Sequence, residues 1–430
     1  MNQTPPSALP AERHTAYTPR QRWTYLALLF MVSASSFLDR NILSVVLPPI
    51  KQEFGVSDTL LGLLGGASFV IFYAALGIPV ARWADRGNRP LIIALAITFW
   101  SAMTALCGAA QTFWQLALAR VGVGIGEAGA LPPGQSLLAD YFPQRQRALA
   151  LAILSAASTA GTLIGFIGGG WVVVNLGWRW TFVLAGLPGL IIGALAWAVL
   201  PEPRHAAGQV APTGPQEGFF ASLKVLWMKP TYRAALIGLT LWSAFSYGSS
   251  VFFPSYLVRT LGLSMSTVGT QYGAVAAVTT LLGTLAGGWY ADRVARRDPR
   301  SLLRLPGIWA LLSAPFYVLA FVVHDFSFFL VVAAIAITLL SAALPVVLAA
   351  AHAVCGSVRR ATAVAILFCL MALVGGTLGP LLTGMISDAL APRFGAAGLG
   401  YALALMTLTI PTMGVLLLRA SGRLAEDTEA

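Results

Sequence analysis

Long apolar runs alternate with short polar segments along the whole chain. Each run is long enough to cross the roughly 30 Å hydrocarbon core of a bilayer as an α-helix. The pattern therefore predicts twelve membrane-spanning helices and an all-α integral membrane protein. The predicted spans are 23–49, 58–82, 90–110, 113–139, 147–174, 178–200, 231–256, 265–291, 303–323, 326–350, 361–387 and 396–418.

Composition indicates the same class of protein. Apolar residues make up 57% of the chain and charged residues only 10%, with a mean hydropathy of +0.77. These values exclude an ordinary soluble globular protein. Residues 1–21 are polar and lack both the apolar centre and the small-residue cleavage pattern of a secretory signal peptide. We therefore expect the first span to remain in the mature protein.

The net charge of +11 is distributed unevenly between the two sides of the predicted membrane. If the N-terminus is cytoplasmic, cytoplasmic segments hold 21 of the 27 Lys and Arg residues, and outside segments hold only Lys51, Arg179, Arg259 and Arg393. This positive-inside bias predicts a multi-pass protein of the cell (inner) membrane with both termini in the cytoplasm. The basic total then reflects contact with the lipid bilayer, and no nucleic acid partner is expected.

The chain repeats an Asp-Arg segment at half its length. Asp85 follows the second span and Asp292 follows the eighth, 207 residues later. Between the halves lies a segment rich in Pro, Gly and Ala, which indicates a flexible linker followed by a short amphipathic stretch. Two parallel six-helix bundles are predicted. The predicted regions are an N-terminal tail, 1–22; a first bundle, 23–200; a linker, 201–230; a second bundle, 231–418; and a C-terminal tail, 419–430.

Four ionisable residues interrupt the apolar spans and are the main candidates for function: Asp39, Arg40, Arg120 and Glu127. A charge at the centre of a spanning helix costs at least about 2.5 kcal/mol, so such residues normally face a partner or a watery cavity. Arg120 and Glu127 are nearly two helical turns apart and share a face, whereas the adjacent Asp39 and Arg40 diverge by about 100°. One of that adjacent pair should face the central cavity and the other a neighbouring helix. The alternative is a structural ion-pair network that fixes the bundle geometry.

The charges of these four residues predict a coupling rule. With both acids ionised the four groups sum to zero, and with both protonated they sum to +2. Protonation therefore favours an anion in the cavity, so an anionic substrate would move with protons and a cationic one against them. Arginine can hold a carboxylate or phosphate through two parallel hydrogen bonds, which favours an anion.

The two Asp-Arg loops resemble the signature G-x-x-x-D-R-x-G-R of the major facilitator superfamily. The second copy matches from Gly288 through Asp292 to Arg296, while the first has Ala81 and Asn88 where the pattern prefers glycine. This resemblance implies the major facilitator fold, alternating access and a functional monomer.

The N-terminal half resembles the spinster-type branch through FLDRNILSVVLPPIKQEFGVSDTLLGLLGG, RVGVGIGEAG, ADYFPQRQRALA and GWRWTFVLAGLPG. The charged residues of helices one and four are also similar to those of the sugar-acid:proton symporters of the anion:cation group. The resemblances imply that Asp39 and Glu127 accept protons, and that Arg40 and Arg120 hold substrate or tune those acids.

Helix five is rich in glycine but has Phe166 where superfamily antiporters carry proline, so no transport direction follows from it. The other reading of those glycines is close helix packing or bending.

The C-terminal half has no charge that we place at mid-membrane. Its helices seven and eight offer aromatic and polar groups as a wall for the apolar part of a ligand, although packing aromatics would give the same pattern. The candidate wall residues are Trp242, Ser243, Tyr247, Gln271 and Tyr272.

Ion pairs of the Asp-Arg loops would hold the cytoplasmic side closed. The alternative is that these charges only set the orientation of the protein in the membrane. The candidate gate residues are Asp85, Arg86, Arg89, Asp292, Arg293 and Arg296.

The sequence thus predicts a secondary active transporter, coupled to protons, for an organic anion or an amphipathic, lysolipid-like anion. A sugar-acid:proton symporter, a drug or metabolite:proton antiporter, a passive channel and a non-transporting sensor are the alternatives. No nucleotide loop, metal-ligand cluster or nucleophile beside a base lies at membrane depth. We therefore expect no enzyme, no cofactor and no bound metal, with protons as the coupling ion. Cys107, Cys355 and Cys369 have neither paired nor metal-ligand spacing.

Overall fold

Helices make up nearly all of the computed structural model, which describes residues 17–203, 219–294, 297–322 and 325–429. Within these ranges twelve helical segments run between two opposite faces, as predicted, and no strand occurs. Ten continuous stretches are long and apolar enough to cross a membrane. The number is ten because the fourth segment is interrupted and the last stretch, Thr362–Ser421, contains more than one segment.

The first half contains six of the segments. The second of these bends at Gly66, and the fourth is interrupted at residues 128–130. The helices are α1, Pro19–Phe54; α2, Asp58–Gly65; α3, Ala67–Arg86; α4, Arg89–Cys107; α5, Phe113–Glu127; α6, Leu131–Tyr141; α7, Gln144–Asn175; and α8, Trp178–Val199.

The second half contains the other six segments, preceded and followed by a short helix. A π-helical turn, Val268–Tyr272, lies inside α11, and another, Met371–Gly376, joins α14 to α15. The helices are α9, Phe219–Met228; α10, Pro230–Leu261; α11, Met265–Val294; α12, Ser301–Val322; α13, Phe326–Val354; α14, Gly356–Leu370; α15, Thr377–Phe394; α16, Gly398–Met406; α17, Thr409–Ser421; and α18, Leu424–Glu429.

The turn after the first spanning helix of each half is built in the same way. Gly55 and Gly262 adopt left-handed φ values of 62° and 66°, which favour glycine. Two residues later, the side chains of Ser57 and Ser264 cap the helix that follows. Each residue of the second turn lies 207 positions after its counterpart, the offset that also separates the two Asp-Arg loops. The two halves are therefore built on one repeated plan.

We call the face that carries these two turns the distal face, and the face that carries the turns at 87–88 and 142–143 the proximal face. Near the distal face, buried side chains of α1 from Ile42 to Ile50 belong to one apolar cluster with the second half. Near the proximal face, those from Tyr25 to Val32 belong to a cluster whose buried residues all come from the first half. The two halves thus share a core at the distal face.

Glycines bring the halves into backbone contact toward the distal face. A Cβ atom on Gly62 of α2 would lie 2.2 Å from the carbonyl oxygen of Pro380 in α15. One on Gly170 of α7 would lie 2.8 Å from the carbonyl oxygen of Met265 in α11. Neither position has room for a side chain, so small residues set the close approach of the halves.

Candidate functional site

Glu127, the last residue of α5, is buried among donors from α1. Its side chain is 1% exposed, and its Oε2 accepts hydrogen bonds from Ser36 Oγ at 2.7 Å and Arg40 Nε at 2.9 Å. Arg40 Nη2 also lies 2.7 Å from the same oxygen. The arrangement is a buried, charge-assisted pair with an additional hydroxyl donor.

The guanidinium of Arg40 is surrounded by aromatic rings. Its Cζ lies 4.9 Å from the ring centroids of Phe69 and Tyr73 in α3, and 5.5 Å from that of Phe37 in α1. The Arg40 side chain is nevertheless 22% exposed, although it lies far from either end of a long spanning helix. Arg40 therefore stands at the border between the packed interior and open space.

Asp39 points away from its neighbour Arg40, into the packing of α1 against α4 and α5. The residue has no exposed surface, and its Oδ2 accepts a hydrogen bond from Thr104 Oγ1 at 3.2 Å. Arg120 Nη1 donates to the backbone oxygen of Asp39 at 3.4 Å. Within the described part of the chain, Asp39 Oδ1 and Arg120 Nε have no hydrogen-bond partner. Arg120 therefore retains a donor that its surroundings do not use.

The glycines of the segment RVGVGIGE make this arrangement possible. A Cβ on Gly124 would lie 2.4 Å from the carbonyl oxygen of Phe69 in α3, and one on Gly126 would lie 2.7 Å from Cβ of Trp100 in α4. Because these helices approach so closely, α5 presents Arg120 and Glu127 directly to α1 and α3. The motif thus combines charged groups with the small residues that bury them.

The predicted wall residues of the second half fall into two groups. Ser243 Oγ is buried and donates to Met371 O at 2.8 Å, and Tyr272 is buried against Phe166, Phe253 and Phe329. These two side chains contribute to packing in this structure.

The other three wall residues retain exposed surface. Trp242 is partly buried and donates through Nε1 to Leu340 O at 3.3 Å. Tyr247 is partly buried beside Gly376 of the π-helical turn, and Gln271 is exposed.

The predicted gate residues form no described link between the halves. The side chains of Asp85 and Arg86, and all of Arg296, lie outside the part of the chain that the structure describes. Arg89 pairs with Asp140 at 2.7 Å and with Glu202, so its ion pairs brace the first half. Asp292 and Arg293 are exposed, and Arg293 lies over the Trp289 ring.

A polar cluster at the distal face, which the sequence reading did not identify, does link the halves. Asp58 at the start of α2 accepts from Lys51 Nζ at 2.6 Å, from Arg259 Nη1 at 2.8 Å and from Ser387 Oγ at 2.7 Å. Asp388 of α15 accepts from the backbone nitrogens of Asp58 and Thr59 at 2.9 and 2.8 Å. We call Lys51, Asp58, Arg259, Ser387 and Asp388 the distal cluster. In the sequence, the feature that could have indicated this cluster is four charged residues beside predicted turns. Two of them, Lys51 and Arg259, were used only to assign the orientation in the membrane.

The fifth predicted span corresponds to α7. Its residue Phe166 lies where α7 contacts the second half. A Cβ on Gly269 would lie 2.1 Å from Phe166 O, and one on Gly273 would lie 2.5 Å from Phe166 Cβ. Gly161 and Gly165 of α7 instead contact α1. The glycines of α7 therefore serve close packing against helices on both sides.

A metal site is not formed by the described residues, in which no group of three or more His, Cys, Asp or Glu side chains converges. No disulfide joins the three cysteines, all of which lie in the described part of the chain, and Cys107 and Cys355 are buried. The site itself presents carboxylates, guanidinium groups and hydroxyls.

The comparisons with known proteins agree on one family. The model of the Major Facilitator Superfamily matches residues 29–320. An MFS-type efflux pump of Mycolicibacterium smegmatis is 35% identical over 96% of this chain and 95% of its own length. The sphingosine-1-phosphate transporter SPNS2 of Danio rerio is 28% identical over 92% of this chain and 83% of its own. The crystal structure of a bacterial homologue of the human lysosomal transporter Spinster, inward-facing and unoccupied, is 30% identical, with a TM-score of 0.86 over 96% of this chain and 99% of its own.

Proposed function

This chain belongs to the major facilitator superfamily as a spinster-type transporter, and we propose that it carries an amphipathic organic anion coupled to protons. The transport cycle is alternating access in the cell membrane, with both termini cytoplasmic and a monomer as the functional unit. Protons are the coupling ion, and no other cofactor takes part.

One observation carries this proposal: two acids and two arginines lie at mid-span in the first half, three of them fully buried. Buried charges at membrane depth are costly and are retained where ions or substrates pass. Glu127 and Asp39 are the proton acceptors. When both are protonated, the positive charges of Arg40 and Arg120 are no longer balanced, and an anion binds more tightly.

The packing of the two halves supports alternating access. The halves share a core and the distal cluster at one face, and we infer that the substrate reaches the site from the proximal face. With the N-terminus in the cytoplasm, the proximal face is cytoplasmic and the protein is inward-facing. The outward-facing state then requires the distal cluster to separate.

The unused donor of Arg120 supports an anionic head group as the ligand. Tyr247 and Trp242 of the second half are partly exposed aromatic groups that suit an apolar tail. The Danio rerio relative is named for sphingosine-1-phosphate, a molecule that combines an anionic head group with an apolar tail. A sugar acid would use the arginines alone and leave the aromatic side unfilled.

Efflux by proton antiport is the second candidate, favoured by the name of the mycobacterial relative, an efflux pump. The two candidates require opposite proton movements. In a symporter the substrate and the proton move in the same direction, whereas in an antiporter they exchange.

Uptake into liposomes that contain the purified protein tests the proposal. Radiolabelled lysophosphatidylglycerol is offered with a proton gradient directed inward, directed outward or absent, and zwitterionic lysophosphatidylcholine serves as the comparison. Symport predicts accumulation of the anion above equilibrium only with the inward gradient, and antiport only with the outward one. Equal rates in all three conditions would contradict proton coupling and indicate a passive channel, while binding without flux would indicate a sensor.

A further inference from the structure

The ring of Phe69 lies between the two arginines of the site. The Cζ atom of Arg40 is 4.9 Å from its centroid and that of Arg120 is 5.5 Å away. The Phe69 side chain is buried, and Tyr73 stacks on it at 5.6 Å with an angle of 15° between the rings. One aromatic group therefore contacts both cations, although they come from different helices.

A guanidinium uses different parts of its surface for the two kinds of contact. Its flat face interacts with an aromatic ring, whereas its N–H groups point outward in the plane and form hydrogen bonds with anions. A ring against the face therefore leaves the edge available. In Arg40 that edge contacts Glu127, whereas in Arg120 the Nε is unpartnered within the described residues.

The backbone fixes where this ring lies. Gly124, midway between Arg120 and Glu127, allows the carbonyl oxygen of Phe69 to approach α5 so closely that a Cβ on that glycine would lie 2.4 Å away. The ring projects from this contact point toward both guanidinium groups. Helix packing thus fixes the backbone from which the ring projects.

We propose that Phe69 is a positioning residue that sets selectivity for an anionic head group, by holding the faces of Arg40 and Arg120 so that their edges converge on it. Tyr73 extends the same aromatic surface on the side of Arg40. This inference rests on the proposed function, because it concerns the arginines that bind the anion.

The variant Phe69→Leu removes the aromatic face and keeps an apolar side chain of similar size. Because the two guanidinium groups would no longer be held by the ring, the KM for lysophosphatidylglycerol should rise roughly tenfold, and kcat should change little if the arginines hold the anion equally throughout the cycle. The preference for lysophosphatidylglycerol over lysophosphatidylcholine should fall by the same factor. Phe69→Tyr, which keeps the aromatic face, should restore both values.

Phe72→Leu is the matched control, because Phe72 lies on the same helix and is 39% exposed. It should leave KM and selectivity as in the wild type. Thermal unfolding in detergent identifies any variant that is only destabilised, and in that case comparison of Phe69→Tyr with the wild type gives the answer: unchanged KM and selectivity support the proposal.

Two results would overturn the inference, and they are distinguishable. If Phe69→Leu keeps wild-type KM and selectivity while the wild type transports the anion, Phe69 does not position the arginines and the proposed function stands. If the wild-type protein transports no anion at all, the proposed function fails and the role of Phe69 fails with it.

Discussion

Each of the two acids has its own set of donors, and this difference bears on how a proton would act. One oxygen of Glu127 accepts from Ser36 and contacts two nitrogens of Arg40, whereas the Asp39 carboxylate accepts from the hydroxyl of Thr104. Removing one partner of a buried ion pair leaves the other charge uncompensated. In the proposed mechanism, a proton on Glu127 therefore frees the edge of Arg40 for the anion.

The variant Glu127→Gln keeps an oxygen for Ser36 and Arg40 but cannot take up a proton. We expect proton-driven accumulation of lysophosphatidylglycerol to fall at least about tenfold, because loss of one proton site removes coupling. Exchange of labelled for unlabelled anion without a gradient should persist, since Arg40 stays charged. Glu53→Gln is the matched control, because Glu53 is 41% exposed and pairs with Arg179 near the distal face. Equal loss of accumulation in both variants would contradict the role of Glu127.

The sequence revealed the four charged residues because charges are rare in apolar spans. It could not reveal Ser36, Phe69 or Thr104, since hydroxyl and aromatic residues are common in such spans and nothing in the chain marks which of them face a charge. Their roles depend on side-chain contacts between α1 and the helices α3, α4 and α5. The functional assignments of the four charged residues themselves stay predictions.

At the scale of helices, glycines decide which elements touch. Gly124 and Gly126 bring α5 against α3 and α4, and Gly161 brings α7 against α1. In a membrane, where apolar burial does not drive helix association, such close backbone packing supplies much of the stability. The charged site is therefore enclosed by the same contacts that hold the first half together.

Gly124→Ala should destabilise the protein, because its Cβ would meet the Phe69 carbonyl oxygen at 2.4 Å and a backbone atom can yield only if a helix moves. We expect a loss of about 1–3 kcal/mol in the free energy of unfolding. Gly168→Ala is the control, since its Cβ would meet only Ile164 Cγ2, at 4.0 Å. Thermal or denaturant unfolding in detergent measures both, and equal stability of the two variants would contradict the packing argument.

The spanning helices could be predicted because length and apolarity define them almost completely. The interruption at 128–130 and the π-helical turns could not, because a span with such a break has the same length and apolarity as one without it. The repeated Gly at positions 55 and 262 was visible in the sequence. That each of them forms a turn with a left-handed φ is known only from the structure.

At the scale of the whole molecule, the two halves meet through the distal cluster, and Asp58 is its centre. Its side chain is 4% exposed and binds one cation from each half, Lys51 and Arg259. Asp388 meanwhile accepts the first backbone donors of α2. In an alternating-access cycle these contacts must break each time the distal face opens.

Asp58→Asn should shift the protein toward the state that is open at the distal face, because it removes the negative charge that both Lys51 and Arg259 contact. Spin labels at the exposed positions Gln52 and Ser264, with native cysteines replaced, report the distance across that face by double electron–electron resonance. We expect a larger population of long distances in the variant. Glu53→Gln, whose partners lie in the first half, should leave the distribution unchanged. An unchanged distribution in Asp58→Asn would contradict the role of the cluster.

The distal cluster illustrates what the sequence alone cannot give. Arg259 lies 201 residues from Asp58, and Ser387 lies 329 residues from it. No local pattern predicts a contact over such separations, so Arg259 was interpreted only through topology. Arg89 pairs with Asp140 and Glu202 of the first half in this conformation, and its role at a gate between the halves stays a prediction.

Proton movement driven by the anion tests the central claim most directly. Liposomes that contain the protein and a trapped pH-sensitive dye receive lysophosphatidylglycerol on the outside, with no pH gradient imposed and membrane potential clamped. The account predicts acidification of the interior that tracks anion uptake, is absent with lysophosphatidylcholine and is lost in Glu127→Gln. Anion uptake with no change of internal pH would contradict it and leave the four charged residues of the site as structural ion pairs.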